Sequence, residues 1–313
     1  MQRNTVFTKL AVLLCAVLCV TALSMNAFAQ VLVSIPDAKV PLSGGAVYVF
    51  TPATGSENIS TGGASLDYSN RAEGYIMASF SRGGKIKMQV TKSGGPTYTY
   101  DLSSSGKYEV FPLTSGDGSY TINIFENVGG NQYAQVLGTT INVTLRDSTL
   151  PFLYPSQYVN FNVESTTVKK GAELANTAAN QLAVVANVYN YVIKNIKYDD
   201  YKASTVQSGY LPQVDSILAS GKGICFDYSA VMAAMLRSQN IPTRLQIGYV
   251  SGGVYHAWIS VYTAENGWVN NIIQFDGKNW KLMDPTFASS SGQDGEVMKF
   301  IGNGSNYSVM YVY

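Results

Sequence analysis

The hydrophobic pattern of the chain changes near its middle. From Val31 to about Leu145 apolar and polar residues alternate with a period of two, in short runs separated by glycine pairs such as Gly83-Gly84. The runs are AVYVF (46–50), YIMASF (75–80), KIKMQV (85–90), YTINIF (120–125) and TTINVTL (139–145). Short strands at this spacing predict an all-β, sandwich-like domain over residues 30–145.

A segment without periodicity follows the predicted strands. It contains Pro151 and Pro155 and shows neither a helical nor an alternating pattern. We therefore expect an ordered connector at residues 146–165 and a second domain at 166–313.

The second half opens with a helical period. Apolar residues at steps of three and four predict one buried helical face, formed by Leu182, Val185, Tyr189, Val192 and Ile196. VDSILAS (214–220) predicts a short helix, and a further helix begins near Cys225 and ends before Pro242. The buried side of that helix is predicted to carry Tyr228, Val231, Ala234, Met235 and Ser238. Strands are predicted at 243–250, 255–262 and 279–284, which gives an α+β domain.

Composition limits the classes of protein. The chain has 313 residues, a net charge of +1 and only 13% charged residues, which argues against a nucleic-acid partner. Its 22 tyrosines and 29 glycines are typical of extracellular β-rich proteins.

The N-terminus has the pattern of an export signal. Arg3 and Lys9 precede the apolar run LAVLLCAVLCVTALSM, which leads to Ala27-Phe28-Ala29. We expect residues 1–29 to be a signal peptide of a secreted or extracellular bacterial protein, with no stable membrane span after cleavage. An uncleaved anchor is the alternative, although the run is shorter than the roughly 20 apolar residues of a membrane span.

Cysteine and histidine are scarce. Removal of the predicted signal peptide leaves Cys225 as the one cysteine of the mature chain, and His256 is the one histidine. Cys225 is either a buried apolar filler or a nucleophile. At the first turn of a helix the dipole favours the thiolate, His256 can share the thiol proton, and Asp284 can orient the imidazole. We expect the strands of His256 and Asp284 to pair and so to bring the two side chains together.

Three motifs carry a family resemblance. The sequences GKGICFDYSAVMAAMLRSQNIPTRLQIGY (221–249), YHAWISVY (255–262) and WKLMDPT (280–286) resemble the transglutaminase-like superfamily over about 168–287. The resemblance implies a papain-like fold in which Cys225 is the nucleophile at a helix N-terminus packed on an antiparallel sheet. It also implies that His256 is the general base and acid and that Asp284 orients it.

Further residues have weaker support. Trp258 shares a strand face with His256 and either walls the site or belongs to the core. Tyr198, in IKYDD (196–200), is similar to the family's tyrosine-containing stretch, so its hydroxyl would assist oxyanion binding. We interpret Asp227 as a carboxylate that satisfies the helix dipole. One cysteine and one histidine cannot supply a usual metal set, so we predict no metal and no cofactor.

The sequence therefore predicts a thiol enzyme that performs acyl transfer or hydrolysis on protein or peptide amides. Its partners would be protein or peptide substrates of the cell surface or cell wall. For the β half we expect a structural or adhesive role. The alternative is an exported binding or adhesion protein with a non-catalytic transglutaminase-like fold.

Overall fold

A computed structural model describes residues 54–264, 266–270, 273–275, 280–282 and 306–313. The predicted signal peptide and the AVYVF run (46–50) lie outside the described residues. Asp284 lies outside them too.

The part of the N-terminal half that the structure describes, from residue 54 onwards, contains two antiparallel sheets of four strands. Their orders are β1-β2-β3-β6 and β5-β4-β7-β8. The strands are β1 Asn58–Thr61, β2 Ala64–Asp67, β3 Tyr75–Phe80, β4 Ile86–Lys92, β5 Thr97–Leu102, β6 Glu109–Pro112, β7 Gly118–Gly129 and β8 Gln132–Val143. The runs predicted at 75–80, 85–90, 120–125 and 139–145 coincide with β3, β4, β7 and β8, which confirms a β-rich N-terminal half.

Strand β5 shows how alternation sorts the side chains. Tyr98, Tyr100 and Leu102 are buried, whereas Thr97, Thr99 and Asp101 are exposed. The buried residues of both sheets belong to one apolar cluster that continues into the helices and strands of the C-terminal half. The domain limits at 145 and 166 stay predictions.

The connector is ordered and packed into the protein. It contains a short 3₁₀ helix, Leu150–Phe152, whose three residues are buried, and Val159 and Phe161 are buried as well. Gly74 has a positive φ of 88°, and a Cβ at this position would lie 2.4 Å from the Pro151 ring. Only glycine therefore lets the connector approach the first sheet this closely.

In the described residues five α-helices follow the connector. They are α1 Thr166–Asn176, α2 Gln181–Asn195, α3 Asp200–Thr205, α4 Val214–Ser220 and α5 Cys225–Arg237. The three predicted helices correspond to α2, α4 and α5. None of the helices in the described part of the chain is long and apolar enough to cross a membrane.

Helix α5 is enclosed on all sides. Every residue from Asp227 to Arg237 is buried, because α1, α2, α4, β11 (Thr243–Val250) and β12 (Val254–Thr263) surround the helix. The prediction of a single buried side was therefore too narrow. The sequence CFDYSAVMAAMLR is apolar around most of its circumference, as expected for a fully buried helix.

The C-terminal sheet has the order β13-β12-β11-β16, with β13 at Gly267–Val269 and β16 at Tyr307–Val312. Helix α5 packs on this antiparallel sheet, which confirms the predicted α+β architecture. The strand that leads towards Asp284, β15 (Trp280–Leu282), pairs instead with β14 (Ile273–Phe275). Our expected pairing between the strands of His256 and Asp284 is wrong for the described residues, in which β15 pairs with β14 and β13 pairs with β12 at Val261–Thr263 alone.

Arg237 joins three parts of the chain at the end of α5. Its fully buried guanidinium donates to the carbonyl oxygens of Thr243 at 2.8 and 3.0 Å, of Tyr154 at 2.9 Å and of Tyr313 at 2.9 Å. Burial lowers the pKa of Arg237 to about 9. The carbonyl oxygens oppose this shift, since hydrogen bonds to the charged form stabilise the cation.

Removing this guanidinium should destabilise the protein strongly. We expect Arg237→Met to lower the free energy of unfolding by about 3–5 kcal/mol, because three buried carbonyl oxygens lose their donors. Arg82→Met is the matched control, since the half-exposed Arg82 pairs with Glu126 at the surface, and its cost should stay below about 1 kcal/mol. Urea unfolding followed by tryptophan fluorescence measures the loss of unfolding free energy in both variants. Equal losses would contradict the structural role assigned to Arg237.

Candidate active site

Cys225 and His256 line the same cavity. The cavity has a volume of about 650 Å³, and its wall also contains Tyr198, Tyr210 and Phe226. The structure therefore brings together the one cysteine of the predicted mature chain and the one histidine of the chain.

Cys225 is the first residue of α5. Ile224 before it has an extended backbone, so the helix begins abruptly at the thiol. Cys225 is a free, half-buried cysteine whose position places it at the positive end of the helix dipole. A partly exposed thiol in this position suits a nucleophile better than an apolar filler.

His256 lies on β12, opposite Gly248 on β11. It is 6% exposed. A Cβ at position 248 would lie 2.0 Å from the carbonyl oxygen of Ser308, so only glycine admits β16 at this point of the sheet. The imidazole stacks on Trp258, with ring centroids 6.4 Å apart and planes 18° apart.

Trp258 belongs to the core rather than to the cavity wall. It is 1% exposed and does not line the described cavity. It also contacts Tyr307, at 5.0 Å between ring centroids. Trp258 therefore lies beside the imidazole in the core and outside the wall of the described cavity, in line with the core alternative.

Tyr198 reaches the cavity through a short parallel pairing. The strand β9, Lys197–Tyr198, pairs with β10, Lys222–Gly223, which places Tyr198 beside Gly223, two residues before Cys225. Hydrogen bonds of 2.9 Å from Lys197 to Gly221 and of 3.0 Å from Asp199 to Gly223 fix this arrangement. The structure thus places Tyr198 on the wall, and its part in oxyanion binding stays a prediction.

Asp284 follows β15 and lies outside the described residues. Its predicted role as the group that orients His256 stays a prediction. In the described part of the chain, no cluster of three or more histidine, cysteine or acidic residues could hold a metal ion.

Asp227 holds the first turn of α5 in place. Its fully buried carboxylate accepts hydrogen bonds from the Ile224 amide at 2.9 Å and the Tyr210 hydroxyl at 2.6 Å, and it forms an ion pair with Lys202. Burial, followed by the hydrogen bond to Asp227, raises the pKa of Tyr210 well above its usual value. A Cβ at Gly223 would lie 2.6 Å from the Asp227 Cβ, so glycine is needed here.

The predicted role of Asp227 is thus correct for its contact with an amide at the helix N-terminus, but the sequence did not reveal Lys202 and Tyr210 as its partners. Lys202 is 25 residues distant in the chain. Hydrophobic periodicity and short motifs do not indicate an ion-pair partner at that separation.

The sequence also failed to identify cavity residues from the β half. Thr97 and Thr99 of β5 line the cavity with Cys225, as do Tyr158 of the connector and Tyr255 of β12. The β half therefore contributes to the candidate site, beyond the structural or adhesive role we expected. Alternation predicts that Thr97 and Thr99 are exposed, but not which neighbour they face.

Comparison with known proteins decides the family of this region. Residues 169–271 match the model of the transglutaminase-like superfamily. The chain carries a transglutaminase-like domain. The match contains Cys225 and His256 and ends before Asp284. An uncharacterized protein of Bacillus subtilis, YebA, is 30% identical to this chain over a stretch covering 27% of this chain and 13% of YebA. The chain thus spans about an eighth of that relative's length.

Solved structures give distant likenesses to this chain. A candidate cysteine protease from Cytophaga hutchinsonii is 14% identical, with a TM-score of 0.34 and coverage of 68% of this chain and 78% of that one. Red sea bream transglutaminase is 12% identical, with a TM-score of 0.28 and coverage of 68% and 48%. The domain assignment rests on the sequence match at 169–271 rather than on these likenesses.

The buried carboxylate of Asp227 should matter more for stability than a surface carboxylate. Asp227→Asn weakens the ion pair with Lys202 while it keeps the side-chain shape, so we expect a loss of about 2 kcal/mol in unfolding free energy. Glu173→Gln is the control, because its pair with Lys170 is exposed and should contribute below about 1 kcal/mol. Thermal and urea unfolding test the difference, and a cost for Asp227→Asn no larger than that of the control would refute it.

Proposed function

We propose that the chain is a secreted thiol enzyme that forms an acyl-enzyme at Cys225 from the amide groups of proteins or peptides. The observation that supports it is the shared cavity of Cys225 and His256, with the cysteine at the first residue of a buried helix. The transglutaminase-like sequence of this region favours the same chemistry. The predicted signal peptide directs the proposal towards substrates of the cell surface or cell wall.

The proposed reaction has two stages. The Cys225 thiolate attacks the amide carbonyl carbon and forms a C–S bond, and the C–N bond then breaks as His256 protonates the departing ammonia or amine. Water or a primary amine next attacks the thioester and gives a proton to His256, and the C–S bond breaks to restore the Cys225 thiolate beside the protonated imidazole. Asp284 is proposed to orient the imidazole during both stages.

The amide N–H of Cys225 and the hydroxyl of Tyr198 are the proposed donors to the oxyanion. Both residues line the cavity, and the pairing of β9 with β10 holds Tyr198 close to the start of α5. Donors held in place before the reaction stabilise the developing charge more than mobile donors would.

Alkylation and turnover test the roles of Cys225 and His256. Iodoacetamide should modify Cys225 at least about 10-fold faster than free cysteine at the same pH, because the imidazole can accept the thiol proton as the sulfur attacks. Cys225→Ala should abolish coupling of a fluorescent primary amine to a glutamine peptide, with a loss of at least about 1,000-fold. His256→Gln should slow both alkylation and coupling.

Mass spectrometry of the peptide product identifies the acceptor. Amine adducts indicate transamidation, and a shift from amide to acid or peptide cleavage indicates hydrolysis. Slow alkylation of Cys225 together with no change in any peptide would overturn the proposed function and favour an exported binding protein.

Tyr198→Phe separates oxyanion binding from nucleophile activation. We expect kcat to fall about 10-fold with KM nearly unchanged, because an oxyanion donor acts in the transition state. The rate of alkylation by iodoacetamide should stay the same, since that reaction forms no tetrahedral oxyanion. Tyr191→Phe, on α2 and away from the described cavity, controls for the loss of a hydroxyl, and an equal effect of both variants would refute the role of Tyr198.

A further inference from the structure

Strand β5 forms an edge of the second sheet. In the order β5-β4-β7-β8 it pairs with β4 on one side, and no strand in the described ranges pairs with its other side. An edge strand presents backbone N–H and C=O groups that can pair with another chain.

Hydrogen bonds show which β5 residues direct these groups outward. The carbonyl oxygen of Asp101 accepts from the side-chain amide of Gln157, which lies in the connector rather than in the sheet. The Asp101 backbone therefore points away from β4. In an antiparallel strand, residues two apart share the same direction, so the N–H and C=O of Thr97 and Thr99 also point outward.

Side-chain contacts across the β4–β5 pair agree with this assignment. The hydroxyls of Thr91 and Thr97 lie 2.9 Å apart, and Lys87 forms an ion pair with Asp101. Close side chains directly opposite each other are typical of pairs that exchange no backbone hydrogen bonds. The bonds of β5 to β4 therefore come from the intervening residues, Tyr98 and Tyr100.

The outward edge borders the candidate site. Thr97 and Thr99 line the cavity that contains Cys225 and His256, and a smaller cavity of about 270 Å³ continues past Thr99 to Asp101. The two cavities share Thr99, Tyr158, Ser208 and Gly209. Together they form a groove that follows β5 towards the thiol.

We propose that the outer edge of β5 binds the main chain of an extended polypeptide substrate as an added strand and so leads its amide to Cys225. This inference rests on the proposed function. Thr97 and Thr99 offer two N–H donors and two C=O acceptors, repeated about 6.8 Å apart along the strand. An extended polypeptide has matching groups at the same repeat, and such pairing binds the main chain with little dependence on side chains.

Ester scanning of a peptide tests the proposal on an unaltered strand. The full chain with Cys225→Ala binds a fluorescent glutamine peptide in which each amide in turn is replaced by an ester, which removes one N–H. We expect the Kd, measured by fluorescence anisotropy, to rise about 5-fold at alternating positions and to change little between them. Equal affinity for all ester peptides would overturn the proposal.

A proline variant tests the strand itself, with Thr140→Pro as a matched control. Thr140 belongs to β8, the strand at the other edge of the same sheet, and lies opposite Thr121 of β7. By the same alternation the N–H of Thr140 also points outward. Proline at either site removes an outward donor and no bond within the sheet. Near-ultraviolet circular dichroism first establishes that both variants are folded. Thr99→Pro should then raise the Kd of the glutamine peptide about 5-fold, whereas Thr140→Pro should leave this Kd unchanged. Equal effects would contradict the assigned edge.

The two proposals fail in different ways. Alternating ester effects without any turnover by the unsubstituted enzyme would support the groove and overturn the acyl-enzyme function. Turnover of glutamine peptides, together with a Kd that no single ester replacement changes, would support the acyl-enzyme function and overturn main-chain binding at β5.

Discussion

The burial of helix α5 is the constraint on which the rest of the structure depends. Asp227 to Arg237 are buried, whereas Cys225 and Phe226 keep partial exposure at the cavity. The helix can therefore present its first turn and no other part to a substrate. Its far end is fixed by Arg237, so displacement of the thiol along the helix axis would break three sets of buried hydrogen bonds. The position of Cys225 and the stability of the core thus depend on the same contacts.

The β half and the transglutaminase-like region meet through aromatic side chains. Tyr313 contacts Tyr98 of β5 at 5.4 Å and Tyr158 of the connector at 4.5 Å between ring centroids. Tyr158 in turn contacts Phe226, beside the thiol, at 5.5 Å. Edge-to-face rings in these contacts restrict how far β5 can move relative to the start of α5. The edge of the β half is therefore a fixed part of the groove.

The sequence predicted local elements well and long-range placement poorly. The helix at 214–220 and the strand at 75–80 have the observed bounds, because period and turn residues act within a few positions. Cys225 and His256 share a cavity, as the motifs indicated. The predicted partner of β15 was wrong for the described residues, since periodicity identifies strands but cannot tell which of them pair with each other. The position of β5 beside the thiol depends on contacts between residues more than 100 positions apart, for which the sequence has no local signal.

One wall of the cavity is attached to the first turn of α5, which carries Cys225. The segment from Tyr198 to Tyr210 is held at its start by the pairing of Tyr198 with Gly223 and at its end by the hydrogen bond from Tyr210 to Asp227. Lys202 adds an ion pair between these two points. Because both attachments lie within two residues of Cys225, this wall keeps its distance from the thiol. Tyr158 and Tyr313 connect β5 to the start of α5 through their ring contacts, so both walls of the groove are positioned relative to the first turn of the same helix.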